Sequence, residues 1–198
     1  MKYLVTSIKG GVGKSSIALN LAAHSGSQYI TNDITTSAIE EVIQIPINKK
    51  RIPAELTKLE NTVFDLGALS SLLDPKIAHA ASFCDVVIIP TRTDPRSIAA
   101  TIKTHQLIKD AGKPIVIIIN HFKDNKKHDA ARSQLLNALG KVPILAIRET
   151  TLFDRVSGDG IEWFLNIQNV KGLYMLQRTA EAHSVVYDRI TAIGRRGQ

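Results

Sequence analysis

Apolar segments alternate with amphipathic segments along most of the chain. Runs dominated by apolar and β-branched residues predict buried strands at 2–8, 28–32, 61–65, 85–91, 115–119 and 142–148. Between them, apolar positions spaced three and four residues apart predict helices that begin near residues 14, 75, 95, 129 and 184. Strands that alternate with helices predict an α/β fold, with a doubly wound and mostly parallel sheet flanked by helices.

Some finer expectations concern individual segments. Ala38 to Ile45 is expected to be a helix, and His121 to His128 an exposed basic loop before a helix that starts at Asp129. Cys84 is the only cysteine, which excludes a disulfide framework, and a small buried hydrophobe is its expected role. The core positions expected in the helix that Asp94 caps are Ile98, Ile102 and Leu107.

A glycine-rich stretch lies between the first strand and the first helix. It reads Lys9-Gly10-Gly11-Val12-Gly13-Lys14-Ser15-Ser16. Glycines let the backbone bring its N–H groups close to a phosphate, and a helix N-terminus adds positive potential. Lys14 offers a point charge for the β- and γ-phosphates, and the Ser15 hydroxyl is placed to hold Mg²⁺. The alternative is a turn that merely joins a strand to a helix. Two lysines and three glycines in register disfavour this alternative.

This stretch resembles the deviant Walker A motif of the ParA/MinD family of ATPases. The general phosphate-loop pattern has its first glycine where this chain has Ile8, whereas the form K-G-G-x-G-K-S adds a lysine, here Lys9. The resemblance implies that Lys9 reaches across an ATP-dependent homodimer to the nucleotide of the partner subunit. The residues that it implies for ATP binding are Gly10, Gly11, Val12, Gly13, Lys14, Ser15 and Ser16.

Three further residues have counterparts in the resembled family. Asp33 follows the strand at 28–32, where the family carries an aspartate that positions the attacking water. The rest of the usual D-x-D-P motif is missing here, and a simple turn is the alternative for Asp33. Asp65 ends a strand as a Walker B aspartate does and is expected to hold Mg²⁺ with Ser15. Asn120 corresponds to the family residue that hydrogen-bonds adenine. In a parallel sheet these residues should converge at the carboxyl ends of the strands.

The reaction that the resemblance implies is slow, partner-stimulated and Mg²⁺-dependent ATP hydrolysis. Lys9, Lys14 and Asp33 are the expected catalytic residues, acting by positioning and charge neutralisation. No serine or cysteine stands in a nucleophile motif, so covalent catalysis is not supported. The length of 198 residues suits one domain that spans positions 1–198.

Charge is distributed unevenly. Residues 1–99 carry 10 Lys and Arg against 9 Asp and Glu, whereas residues 100–198 carry 15 against 9. A basic half predicts a polyanionic partner, such as nucleic acid or an anionic membrane, with a solvated basic surface as the alternative. Resemblance to small ParA-type partition ATPases implies that the ATP dimer binds non-specific DNA. The candidate contacts are Lys123, Lys126, Lys127, Arg148, Arg155, Arg178 and Arg189. The cluster at 49–51 is expected to be a solvated loop.

Two other functions stay open at this point. A MinD-like membrane switch needs a C-terminal amphipathic helix rich in Phe, Leu and basic residues, and the segment 190–198 has no aromatic residue. A metabolic ATP-dependent enzyme of the same superfamily is the other, although no small-molecule pocket is signalled. Without a membrane span or a signal-peptide layout, a cytoplasmic protein is expected. The resemblance to ParA-type ATPases, through its implied DNA binding, adds association with the nucleoid. The resemblance also implies a centromere-binding or adaptor protein that stimulates hydrolysis.

Overall fold

The structure is a computed structural model that describes residues 1–33, 42–46, 48–67, 74–151 and 174–197, with the backbone alone at 174–176. Within these residues one parallel sheet has the strand order β3-β2-β4-β1-β5-β6-β7. Its strands are β1 (Lys2–Ser7), β2 (Gln28–Thr31), β3 (Val42–Gln44), β4 (Thr62–Gly67), β5 (Val86–Thr91), β6 (Ile115–Phe122) and β7 (Ile144–Arg148).

Helices connect the strands and cover both faces of the sheet. The helices in the described part of the chain are α1 (Lys14–Ser25), α2 (Ala54–Lys58), α3 (Pro75–Phe83), α4 (Pro95–Ile108), α5 (Asn125–Leu139) and α6 (Tyr174–Arg196). A 3-10 turn at Lys109–Ala111 extends α4. This architecture confirms the predicted doubly wound α/β fold.

The core consists of two layers because successive strand residues point to opposite faces. Val5 of β1 packs in a cluster with α1 and α6, and the adjacent Leu4 packs in the cluster beneath α3. A third cluster joins Ile117 and Ile119 of β6 to α4 and α5. Strands buried on both faces explain why their sequences are apolar without alternation.

The register of the central strands brings the ends of β1, β2 and β4 together. β1 lies between β4 and β5, with Val5 opposite Asp65 and Ser7 opposite Gly67. In β2, Thr31 lies opposite Asp65. The chain leaves β1 at this edge and enters α1 through the glycine-rich stretch, so the loop stands directly beside the end of β4.

Three sequence expectations are wrong. Val42–Gln44 is an edge strand rather than part of a helix, because it pairs with β2; positions 38–41 lie outside the described residues. The segment expected to be a basic loop instead continues β6 to Phe122, and α5 begins at Asn125 with Asp124 as its cap. Leu107 is 44% exposed, because hydroxyl side chains share the buried face of α4 with its isoleucines.

Other expectations are confirmed. Asp94 caps α4 as predicted, and Asp74 caps α3 in the same way, each accepting a hydrogen bond from a backbone N–H of the first turn. Cys84 is fully buried, and burial raises the pKa of its thiol, which favours the inert neutral form. Ile98 is buried, whereas Ile102 is only partly buried.

Candidate functional site

The glycine-rich loop has a backbone that presents N–H groups at the start of α1. Gly11 has φ of +73° and Gly13 has φ of +88°, conformations that cost a residue with a Cβ but not glycine. Gly13 is the N-cap of α1, and no side chain caps this end. The first amides of the helix therefore lack an internal acceptor, which makes the end a favourable position for an anion.

Asn120 contacts this loop from β6. Its Nδ2 donates to the carbonyl of Val12 at 3.1 Å, and the side chain is buried. A Cβ at Gly13 would lie 2.2 Å from Nδ2, so only glycine fits beside this amide. The Oδ1 atom of Asn120 is buried and has no hydrogen-bond partner among the described residues. It is therefore available to accept a hydrogen bond from a ligand.

Lys14 lies across the end of β4. A Cβ built on Gly67 would lie 3.3 Å from Cε and 3.6 Å from Nζ of Lys14, so the missing side chain leaves room for the lysine. Gly67 is in turn held by Asn32, whose Nδ2 donates to the Gly67 carbonyl and whose Oδ1 accepts from the Gly67 N–H, each at 3.1 Å. This reciprocal pair ties the end of β2 to the end of β4 beneath the lysine.

Asp65 lies at the same edge and is 2% exposed. Its Oδ2 accepts a hydrogen bond from the Tyr29 hydroxyl at 2.7 Å, whereas Oδ1 is buried with no hydrogen-bond partner in the described part of the chain. Burial raises the pKa of Asp65, while contact with Ser15 and Tyr29 and the charge of Lys14 lower it. Burial, followed by the negative charge of Asp65, also raises the pKa of Tyr29, so the phenol remains a neutral donor.

Asp33 is exposed and lies two positions after the end of β2. Its backbone N–H donates to Thr31 Oγ1 at 3.0 Å, and its charge contributes to raising the pKa of Asp65. The carboxylate is therefore near enough to Asp65 to affect it electrostatically. Thr35 and Thr36, which replace the rest of the D-x-D-P motif, lie outside the described residues.

Lys9 is half-buried on the side of the loop that faces α4. Its N–H donates to Ser7 Oγ at 3.2 Å, and the preceding N–H, of Ile8, donates to Thr104 Oγ1 on α4 at 3.3 Å. The pKa of Asp94 is low chiefly because Ser97 donates to it, and the charge of Lys9 adds to this effect. This part of the loop therefore lies against α4, and Lys9 is near enough to Asp94 to affect it electrostatically.

The residues that the sequence predicted for one site thus lie at one edge of the sheet. Gly10 and Gly11 line open space, since nothing lies within 4 Å of a Cβ built on either. Two buried acceptor atoms, on Asn120 and Asp65, need partners that the described residues do not supply. The arrangement has the chemistry that a nucleoside triphosphate with Mg²⁺ requires: amides and a lysine for phosphates, with a carboxylate and a hydroxyl for the metal.

The fold is similar to that of several solved structures. A variant of McdA from Cyanothece in complex with ATP is 14% identical, with a TM-score of 0.62 over 98% of this chain and 97% of that chain. MinD from Aquifex aeolicus is 16% identical, with a TM-score of 0.59 over 91% of this chain and 95% of that chain. The chain has the ParA/MinD fold. No protein-family model matches the sequence, and no curated protein matches it.

A third structure with the ParA/MinD fold is a plasmid partition protein. It comes from Borrelia burgdorferi, is bound to AMPPNP, and is 19% identical, with a TM-score of 0.53 over 85% of this chain and 96% of that chain. These identities are low, so the likeness establishes the fold, and the chemistry must be argued from the residues themselves.

Sequence reasoning missed several residues that shape the site. Tyr29, Asn32 and Thr104 contact Asp65, Gly67 and Ile8, which are 36, 35 and 96 positions away along the chain. For Tyr29 a signal was present in the alternation of the strand. Residues two positions apart point to the same face of a sheet, so Tyr29 shares a face with Thr31, near the strand end that precedes Asp33. Without the pairing of β2 with β4, however, nothing indicated that its hydroxyl meets Asp65.

Proposed function

We propose that this chain is a Mg²⁺-dependent ATPase of the ParA/MinD type, whose ATP-bound dimer binds DNA without sequence preference to segregate or position DNA. The observation that carries the ATPase proposal is the convergence of the uncapped loop, Lys14 and two unsatisfied acceptors at the end of β1. The ParA/MinD fold supports it, because solved structures with this fold contain ATP, Mg-ADP and AMPPNP.

Each residue has a role in this proposal. The amides of Gly10 to Ser16 and the Lys14 ammonium bind the phosphates, and Asn120 Oδ1 accepts from the amino group of adenine. Ser15 and Asp65 would hold Mg²⁺, which when bound would neutralise charge on the phosphates. Asp33 orients the attacking water, and burial of Asp65 keeps bulk water from its carboxylate.

Lys9 is proposed to act on the nucleotide of a partner subunit. Its position at the rim of the loop, on the side that faces α4, supports a role directed away from the bound phosphates of its own chain. The matched test compares Lys9→Ala with Lys14→Ala. We expect Lys14→Ala to abolish ATP binding, and Lys9→Ala to retain binding but lose ATP-dependent dimers and hydrolysis. Normal dimerisation and hydrolysis by Lys9→Ala would contradict the role in trans.

The proposed DNA surface centres on the start of α5 and the end of β7. Lys123, Lys126 and Lys127 are exposed there, and Arg148 is joined to the same place by a hydrogen bond to Asn125. Arg178 and Arg189 are exposed on α6, whereas Arg155 lies outside the described residues. Glu149 pairs with Lys123 at 2.7 Å and offsets part of the positive charge, so Lys126 and Lys127 are the stronger candidates.

The membrane alternative is less well supported. Tyr187 and Ile190 of α6 are fully buried, and Ile193 packs against the same core. These three residues therefore stabilise the fold and are not free to enter a bilayer. No helix in the described ranges combines the length and the apolarity that crossing a membrane requires.

The experiment measures binding to non-specific double-stranded DNA with ATP, ADP or no nucleotide, over a series of salt concentrations. Binding that needs ATP and weakens steeply with salt supports the proposal, because phosphate contacts release counterions. Lys126→Glu/Lys127→Glu should weaken binding and reduce the log–log salt slope by about 2. The control is Lys49→Glu/Lys50→Glu, which alters an equally exposed basic pair that is not assigned to the surface. ATP-dependent dimers that bind no DNA would contradict the DNA part of the proposal.

A further inference from the structure

Tyr29 connects β2 to the candidate metal site. Its hydroxyl donates to Asp65 Oδ2 at 2.7 Å, and both residues are 2% exposed. In the sheet Tyr29 lies opposite Val63, whereas Thr31 lies opposite Asp65. The phenol therefore extends two strand positions, about 6.6 Å, toward the carboxyl edge. A shorter hydroxyl side chain at position 29 would not reach the carboxylate.

The hydrogen bond makes the two oxygens of Asp65 unequal. Oδ2 is held by the phenol, while Oδ1 is buried and has no hydrogen-bond partner within the described ranges. A buried acceptor without a partner is costly, and so it marks a position where a ligand group is expected. Ser15 also contacts this carboxylate. Because Oδ2 already accepts from the phenol, Oδ1 is the oxygen available to the Mg²⁺ that Asp65 and Ser15 are proposed to share.

We propose that Tyr29 is a positioning residue, which fixes the rotation of the Asp65 carboxylate so that Oδ1 is presented to the metal. This inference rests on the proposed ATPase function. A group that holds a metal ligand in place raises metal affinity, and its loss typically costs about tenfold to a hundredfold. Replacing Tyr29 by Phe keeps the ring in the core between α1 and the sheet but frees the carboxylate to rotate.

A purely structural role is the competing explanation, and Tyr3 offers the matched control. Tyr3 is also 2% exposed, packs in the same core cluster, and its hydroxyl is hydrogen-bonded to a side chain, Thr191 Oγ1, at 2.9 Å. Tyr3→Phe therefore loses a comparable hydrogen bond in the same core. However, the Tyr3 hydroxyl is bonded to Thr191 of α6, whereas the Tyr29 hydroxyl is bonded to Asp65, so only Tyr29→Phe should affect the metal.

The test measures the binding of a fluorescent, non-hydrolysable ATP analogue to the full chain, in EDTA and over a series of Mg²⁺ concentrations. We expect Tyr29→Phe to raise the Mg²⁺ concentration for half-maximal binding about tenfold, with unchanged affinity in EDTA. Tyr3→Phe should change neither quantity. Urea unfolding of both variants establishes that they are folded under the assay conditions.

Each other outcome overturns the inference in an identifiable way. If both variants keep the Mg²⁺ midpoint of the unaltered chain, or if Tyr29→Phe weakens binding equally with and without Mg²⁺, Tyr29 is structural and the proposed function still stands. If the unaltered chain does not bind the analogue at all, the proposed ATPase function fails, and the role of Tyr29 fails with it.

Discussion

The contact between Gly13 and Asn120 allows the cost of a single methyl group to be worked out. In Gly13→Ala the new Cβ would lie 2.2 Å from Asn120 Nδ2, and φ is +88°. The left-handed backbone costs a residue with a Cβ about 1–2 kcal/mol. Displacing the amide breaks its hydrogen bond to Val12, which contributes about 1 kcal/mol. We therefore expect Gly13→Ala to lower the free energy of unfolding by about 2–3 kcal/mol.

Two neighbouring glycines separate the backbone cost from the clash. Gly11 has φ of +73° but nothing within 4 Å of its Cβ position, so Gly11→Ala should cost about 1–2 kcal/mol. Gly10 has neither constraint, and Gly10→Ala should stay within about 0.5 kcal/mol of the unaltered chain. The assay is urea unfolding without nucleotide, followed by circular dichroism, with an unchanged m-value as the condition for comparing the variants.

A double-mutant cycle tests the clash itself. Asn120→Ala removes the atoms that the Gly13→Ala methyl would meet, so the double variant should be more stable than the sum of the single effects predicts, by about 1–2 kcal/mol. Additive effects would refute the reasoning, and so would a Gly13→Ala variant no less stable than Gly11→Ala. Either result would mean that Asn120 moves aside without cost.

Three more predictions concern polar groups around the loop and in α6. Asn32→Ala breaks two part-buried hydrogen bonds to the end of β4 and should lower the free energy of unfolding by about 2 kcal/mol, measured by urea unfolding. Thr104→Val leaves a loop N–H without its acceptor and should destabilise by about 1 kcal/mol; Thr101→Val, which removes a buried hydroxyl without a partner, should be neutral or stabilising in the same assay. Burial lowers the pKa of His183 from 6.5 to about 4. As the pH falls, this histidine therefore binds a proton in the unfolded chain before it does so in the folded chain. The free energy of unfolding should be unaffected above pH 6.5 and fall by about 3 kcal/mol as the pH drops toward 4. Unfolding at several pH values should therefore show a flatter acid limb in His183→Gln, and an unchanged limb would contradict the assignment.

The strands and the loop were predictable because their signals are local. A continuous apolar run such as Val86 to Ile89 predicts a strand that is buried on both faces without reference to distant residues. The glycine-rich stretch is likewise recognised by its position directly between β1 and α1. The convergence of Asp65 and Asn120 was predictable, because both lie near the carboxyl ends of their strands and parallel strands end at a common edge.

The errors come from positions where partners decide the structure. The apolar residues of β3 fit a helical spacing as well as a strand, and pairing with β2 settles the choice. The first turn of α5 is polar and shows no periodicity, although the cap at Asp124 was a usable signal. On α4, the face that packs on the core includes buried hydroxyl residues such as Thr101 and Thr104. Because the prediction considered apolar residues alone, it assigned Leu107 to the core.

The burial of α1 has a consequence for how occupancy of the loop would be detected. Seven consecutive residues of this helix, from Ile17 to Ala23, are buried, so α1 has no solvent-facing side in its centre and cannot separate from the sheet alone. Its amides should exchange hydrogen only through global unfolding, in the most protected class of the protein. A ligand bound at its first turn is then linked to the unfolding of the whole core, so that binding should appear as a melting temperature that rises with ligand concentration.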